Sequence, residues 1–284
     1  LFTQQNVQAL SPTPEGWEIT TPNSTYKAHN VVIATGSNPK IWQLLANLGH
    51  TIISPVPSLF TFNTSTQWAK ELSGIAVNAS VRLLSQDGKS LKIAETAPML
   101  FTHNGFSGPA VLRASAWGAR VLAECNYRCL MEVNFTAQNS EALTYDETLL
   151  LLQDCKQHNG RKSMQNLALF DLSKRLWNAL LDSAGIAPAQ SWAELNKSQL
   201  RHLAEILTQC RFPIEGKATF KDEFVTAGGV KLSEINFKTY ESKLHPHLYL
   251  AGEVLDIDAI TGGFNFQNAW TGGYIIAENF LKTL

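Results

Sequence analysis

Tyr249-Leu250-Ala251-Gly252-Glu253, with Thr261-Gly262-Gly263-Phe264-Asn265-Phe266-Gln267 a few residues on, is the stretch on which the fold of this 284-residue chain turns. The first part reads as a short buried strand that delivers a carboxylate just past its C-terminal edge, where open α/β sheets bind their ligands. An acceptor-only group there suits ribose-like hydroxyls; the plainer alternative is a carboxylate that closes a turn. The second part sets two residues without side chains against the first turn of a helix, where free amides and the helix dipole can face a pyrophosphate. Its plainer alternative is a glycine turn with Asn265 as N-cap. Phe266, Ala269, Trp270, Gly273, Ala277, Phe280 and Leu281 keep helical spacing from about residue 266. Gly272 and Gly273 inside that helix each cost about 1 kcal/mol relative to Ala, which points to close approach by another backbone or a cofactor.

Working outward, Val31-Val32-Ile33-Ala34 is a continuous apolar run ending at Thr35-Gly36, as a fully buried parallel strand would be. Two strands, 17–20 and 25–29, precede it around a Pro22-Asn23-Ser24 turn, and a helix over 41–48 stopped by Gly49 follows. From Ser54 the texture is that of an antiparallel sheet, with strands over 75–84 and 89–94 joined at Asp87-Gly88. Ser107-Gly108-Pro109 starts a short helix over 109–119, and 127–135 returns to strand. Between 145 and 209 leucines recur at helical intervals; strand texture resumes at Arg211, and an alternating run over 218–225 leads into Thr226-Ala227-Gly228-Gly229, read as a loop. The chain is therefore expected to be α/β, with one nucleotide-binding domain built from 1–53 and 222–284. A domain over 54–221, β-rich to 140 and helical over 141–210, interrupts it.

A net charge of −1 with both signs scattered offers no field for nucleic acid or anionic lipid, and the longest purely aliphatic stretch, Leu149 to Leu152, cannot cross a bilayer. Cys125, Cys129, Cys155 and Cys210 lack metal-site spacing and disulfide density, so reduced structural thiols and a cytoplasmic location are expected. Asp256-Ile257-Asp258 could open a calcium loop, but its sixth position is Thr261 rather than Gly and its twelfth Gln267 rather than Glu, so no metal is expected. Thr102 to Ser107 holds the one local cluster of imidazole, hydroxyls and carboxamide beside glycines. His103 is the candidate proton donor there, against the alternative of a structural histidine in a turn.

Val31 to Gly36, Leu100-Phe101-Thr102-His103-Asn104-Gly105-Phe106-Ser107-Gly108-Pro109, Thr226 to Val230, Gly252-Glu253-Val254 and Gly262 to Gln267 together resemble, in order and spacing, the signatures of the BaiN/YhiN-like flavoproteins. The resemblance covers essentially the whole chain. It implies a Rossmann-like FAD-binding domain, incomplete at its N-terminus, interrupted by a β-rich and helical insertion. It further implies an FAD-dependent oxidoreductase of the aminoacetone oxidase type, with NAD(P)H as reductant and a small organic substrate, unsaturated and steroid-like in some relatives. Residues Ala34, Thr35, Gly36, Gly228, Gly229, Gly252, Glu253, Gly262, Gly263, Phe264, Asn265 and Phe266 would contact the cofactor. Two departures stand out. The family's opening strand with G-x-G-x-x-G is absent, so the chain is expected to be a fragment; and Ser37-Asn38-Pro39 follows Gly36 where relatives have a longer glycine-containing loop. The rival from another class is a non-catalytic flavin-binding or redox-sensing module.

Overall fold

The structure, a computed structural model, describes residues 1–138, 141–218 and 225–283. Contacts divide the chain into two units, Leu1–Ser58 with Phe224–Leu284, and Leu59–Glu223.

In the first unit, β1 (Ala9–Thr13), β2 (Gly16–Thr20) and β3 (Thr25–Ala28) form an antiparallel meander. The hairpin legible in the sequence is β2–β3; β1, carrying Ser11 and Pro12, is an addition to it. Next come β4 (Val31–Ile33), α1 (Pro39–Asn47) and β5 (Ile52–Ser58). Asn38 caps α1 by accepting from the Lys40 amide at 3.0 Å, and Pro39 occupies a first-turn position that needs no amide hydrogen. The returning half contributes β12 (Val225–Val230), β13 (Ile235–Asn236), β14 (Glu241–Ser242), β15 (Leu248–Leu250) and α8 (Phe264–Thr283). One sheet has the order β13-β14-β15-β4, and its β15–β4 pair is parallel; β12 pairs with β5 antiparallel in a second. Leu45, Val230, Leu248, Leu250, Val254 and Leu255 centre the core. Buried His50 links β14 to the turn after α1, with Nδ1 at 2.9 Å from Glu234 Oε2 and Nε2 at 3.0 Å from Ser242 Oγ.

Three expectations change here. Val32 is 42% exposed, not buried, because side chains alternate along β4 and only the face of Val31 and Ile33 meets the core. Thr226 to Gly229 lie inside β12 rather than in a loop, and the ladder with β5 shifts register between Ala227 and Gly229. The run expected over 218–225 lies largely outside the described residues. The junction expected at 54 falls within β5, which belongs whole to the first unit because β12 holds it there.

The second unit is a closed six-stranded barrel with helices. Its strands are β6 (Phe62–Thr64), β7 (Ala76–Leu84), β8 (Ser90–Phe101), β9 (Gly105–Ser107), β10 (Cys129–Asn134) and β11 (Cys210–Lys217), in the order β10-β11-β6-β9-β8-β7. Gly88, at φ 82°, makes the β7–β8 turn, and β8 runs on well beyond the expected residue 94. Inward residues alternate, and Phe62, Phe101, Phe106 and Phe212 fill the barrel, with Phe106 and Phe212 ring centroids 4.7 Å apart. Opposite each other across three strands, Arg82, Glu132 and Arg211 form ion pairs of 2.8 and 2.9 Å around the buried Glu132 carboxylate. α2 (Gln67–Glu71), α3 (Pro109–Trp117) and α4 (Ala119–Glu124) accompany the barrel. The helical part comprises α5 (Tyr145–Asn159), α6 (Lys174–Ser183) and α7 (Lys197–Gln209). Thr144 with Glu147, and Asn196 with Gln199, close capping boxes on α5 and α7. All four cysteines are free, and burial pushes the Cys129 and Cys210 thiols up to about 12, so neither is a reactive thiolate. Among the described residues no helix is long and apolar enough to cross a membrane.

Candidate functional site

Parallel pairing of β4 with β15 aligns Val31, Val32 and Ile33 with Leu248, Tyr249 and Leu250. The Ala251 amide continues the ladder to the Ile33 carbonyl at 3.0 Å, so two segments, 34–36 and 252–253, leave the sheet side by side at its carboxyl end. Gly36, at φ 63°, needs a residue that tolerates the left-handed region, and a Cβ built on it would lie 4.0 Å from Glu253 Oε2. The structure thus brings together Gly36 and Glu253, more than two hundred positions apart in sequence. Thr35 and Ala34 are exposed beside them.

Glu253 sits in a single 3-10 turn, Gly252–Val254, that follows β15. Burial raises its carboxyl above the ordinary glutamate range, and a hydrogen bond from the Thr226 backbone amide offsets part of that rise. Thr226 is therefore a member of the site, through its backbone. Trp42 is another supporting residue that sequence reasoning missed: its Nε1 donates to the Val254 carbonyl at 2.9 Å and ties α1 to the turn that carries Glu253. As a buried residue of an amphipathic helix, it gave no sign beyond its apolar spacing.

α8 packs on the same turn. A Cβ on Gly252 would meet Ala269 at 3.6 Å, while one on Gly272 would stand 2.9 Å from the Tyr240 ring and 3.1 Å from the Ala251 methyl. Gly272 is thus explained by two side chains rather than by a backbone or cofactor, and Gly273 faces open space. Ahead of α8, Gly262 and Gly263 have φ of 129° and 83°; a Cβ on Gly262 would press the Phe264 ring at 2.9 Å, whereas Gly263 meets nothing within 4 Å. Asn265 lies in the first turn of the helix, and its carboxamide clamps the Ala259 backbone, accepting from N and donating to O at 3.0 Å each. That amide is occupied in folding the loop, though not as the N-cap weighed above. Phe264, Phe266 and Trp270 are exposed, the last two stacked at 6.0 Å.

Gly228 and Gly229 answer to packing. At φ 125° and 127°, a Cβ on the first would fall 2.6 Å from Pro55 Cα, and on the second 2.6 Å from the Val254 carbonyl oxygen. Gly229 lets β12 lie against the turn of Glu253, which places the pair beside the site as supports.

His103 belongs to the other unit, where it is exposed on the β8–β9 turn. Thr102 N donates to the Gly105 carbonyl at 2.8 Å, and the Asn104 carbonyl accepts from Thr64 N at 3.0 Å. Gly105 is forced, since a Cβ there would lie 2.1 Å from the Phe62 carbonyl oxygen. Neighbours of His103 thus shape the turn, while the imidazole itself is not a buried structural histidine.

Fold and site define a mixed α/β protein in which a barrel-and-helix unit interrupts the chain of a second unit, itself built around a parallel strand pair with a carboxylate at its end. The model of the HI0933-like protein barrel and H2TH domain family matches residues 56–225, well over half of the chain, and the chain belongs to this family, as its resemblance to the BaiN/YhiN-like flavoproteins implied. Among relatives, a ribosomal RNA dihydrouridine synthase of Haemophilus influenzae is 30% identical over 267 residues, covering 90% of this chain and 61% of that protein. A 3-dehydro-bile acid delta(4,6)-reductase of Clostridium scindens is 27% identical over 283 residues, with 97% and 68% covered. A ribosomal RNA dihydrouridine synthase of Escherichia coli is 27% identical over 290 residues, with 98% and 67% covered. The chain therefore spans about two thirds or less of the length of these relatives.

Proposed function

We propose that this chain forms the flavin and ribityl side of an FAD-dependent oxidoreductase, with a Rossmann-like arrangement around β4 and β15, NAD(P)H as reductant and a small unsaturated organic molecule as substrate. The observation that carries the reading is the meeting of Gly36 and Glu253 at the carboxyl end of the parallel pair. Residues at this end of the pair and at the start of α8 would suit the cofactor: an acceptor carboxylate for its hydroxyls, backbone without side chains at Gly36 and Gly263, and a helix N-terminus at Phe264 for negative charge. Bound FAD would supply the hydride chemistry. Glu253 would orient the ribityl or ribose hydroxyls, with Thr226 and Trp42 fixing its turn, while the bared backbone at 36 and 263 permits close approach. His103 is the proposed proton donor. Membership of this family, together with similarity to a protein named as a bile acid reductase, supports the reaction class.

A second reading, the same chemistry on RNA, is favoured by the names of two relatives and opposed by the net charge of −1, since phosphate contacts dominate nucleic-acid affinity. One experiment tests all of these. The purified protein is examined for flavin absorbance, reduced anaerobically with NADH or NADPH, and offered an unsaturated ketone or a uridine-containing RNA. Reoxidation by the ketone supports the first reading and reoxidation by RNA the second. Reduction with neither acceptor consumed leaves a non-catalytic flavin module, and failure to bind flavin even when a G-x-G-x-x-G segment for the pyrophosphate is supplied removes the proposal.

A further inference from the structure

We propose that the outer face of the barrel carries a second binding site, for the carboxylate or phosphate headgroup of a small molecule, with Arg113 as its anchor. This site is independent of the flavin reading. Antiparallel pairing of β7 with β8 sets Asn78 opposite Pro98 and Ser80 opposite Thr96. Because Ala79, Val81 and Met99 are buried, alternation turns Asn78, Thr96 and Pro98 away from the barrel core. α3 packs over β8 and brings Arg113 to the same face one turn after Pro109. Asn78, Thr96, Pro98, Arg113 and Ala137 line a cleft of about 360 Å³ there. A neighbouring cleft of about 420 Å³ shares Asn78, Pro98 and Ala137 and reaches Gln138 and Asp171. Together they have the size of small-molecule sites.

Arg113 is what makes this cleft specific. Its Nε is buried without a hydrogen-bond partner among the described residues. The side chain as a whole is half-buried, but a guanidinium cannot shed its charge, and a buried N–H is rarely left unpaired. Elsewhere on the same barrel, Arg82 and Arg211 share the Glu132 carboxylate. Arg113 has no such counterpart among the described residues, and it lines the cleft with a hydroxyl and a carboxamide that can add hydrogen bonds to an oxyanion. In the neighbouring cleft, Phe170 and Asp171 hold φ of 57° and 55°, two successive side-chain-bearing residues in the left-handed region, and Asp171 adds a carboxylate to its lining. A ligand with an oxyanion at one end and a hydroxyl or amine at the other would satisfy both.

The test is calorimetric titration of the purified protein with inorganic phosphate and, separately, with acetate, chloride holding the ionic strength constant. Saturable binding of at least one anion is expected, weakened at least about tenfold by Arg113→Met, since a forked charge-assisted pair is lost. Which anion binds tells a phosphate headgroup from a carboxylate. Should Arg113→Met fold poorly, Arg113→Lys, which keeps the charge and removes the fork, serves instead with the same expectation. No saturable binding of either anion up to about 50 mM, a concentration at which a specific millimolar site would be filled, overturns the proposal. So does unchanged affinity in the arginine variant, which would place the anion elsewhere.

Discussion

Replacing Gly229 by alanine isolates what the bulge in β12 does for the site. The residue has φ 127°, and the new Cβ would lie 2.6 Å from the Val254 carbonyl oxygen and 2.8 Å from the Leu255 carbonyl carbon, both backbone atoms of the turn that follows Glu253. Two costs therefore add. Holding an L-residue in a sparsely populated conformation costs about 1–3 kcal/mol. Forcing a methyl into occupied space costs about 1–3 kcal/mol more, because backbone cannot swing aside as a long side chain can. Gly49 supplies the internal control: its φ is 93°, but a Cβ there meets nothing within 4 Å, so Gly49→Ala carries the conformational cost alone. Urea unfolding followed by circular dichroism should show Gly229→Ala destabilised by about 2–6 kcal/mol in total and Gly49→Ala by about 1–3. The first variant should also lose flavin affinity, since the turn of Glu253 must shift. Equal destabilisation of the two variants would refute the argument from close approach.

Glu253→Gln should stabilise the flavin-free protein at neutral pH yet weaken FAD binding by about tenfold or more, the worth of a charged hydrogen bond. Its native carboxyl is raised by burial, so the folded state holds the proton more tightly, and stability falls as pH rises from the unfolded pKa through the folded one; the glutamine variant should lack that fall, as urea melts across the acid range will show. Glu132→Gln should cost the barrel about 1–3 kcal/mol by removing the charge shared by Arg82 and Arg211, the figure kept low because both arginine side chains are about half exposed and rehydrate. A loss under about 0.5 kcal/mol in thermal unfolding would show the ion pairs to be incidental. His103→Ala should slow turnover by about a hundredfold with stability unchanged, given an exposed imidazole; equal steady-state rates would end its candidacy.

Local signals carried much of the architecture. Two aliphatic runs ending in glycine, at 31–36 and 248–252, did become neighbouring parallel strands, and Asp87-Gly88 did become a hairpin turn. Asn38-Pro39 and Gly49 bound α1 as their chemistry requires. The closed barrel was not legible, because β6 has three residues and its partners, Phe106 and Lys217, are distant in sequence. Thr226 to Gly229 misled for a sharper reason: positive φ and the absence of a side chain are wanted both by loops and by a bulged strand crossed closely by another chain. Gly272 misled likewise, since a missing Cβ records that something is near without saying whether it is a ring, a methyl or a ligand. In the candidate site, Glu253 and Gly36 were visible as motif residues; Thr226 stands in a motif too, but the role of its backbone amide and that of the Trp42 indole depend on the geometry of a folded turn and leave no sequence signal.

The parallel pair β4–β15 also dictates an order of assembly. During synthesis β4 emerges roughly 200 residues ahead of its partner and must wait for it. Searching for it across roughly 200 flexible residues would be slow. The barrel shortens that search, because its own pairing sets the Ala218 amide against the Thr61 carbonyl at 3.1 Å, so the entry and exit of the whole insertion are adjacent once it has folded. The effective loop then shrinks several-fold, which lowers the closure cost by about 1 kcal/mol. An interruption that looks like a burden on the smaller unit is, kinetically, the splint on which its two halves are set.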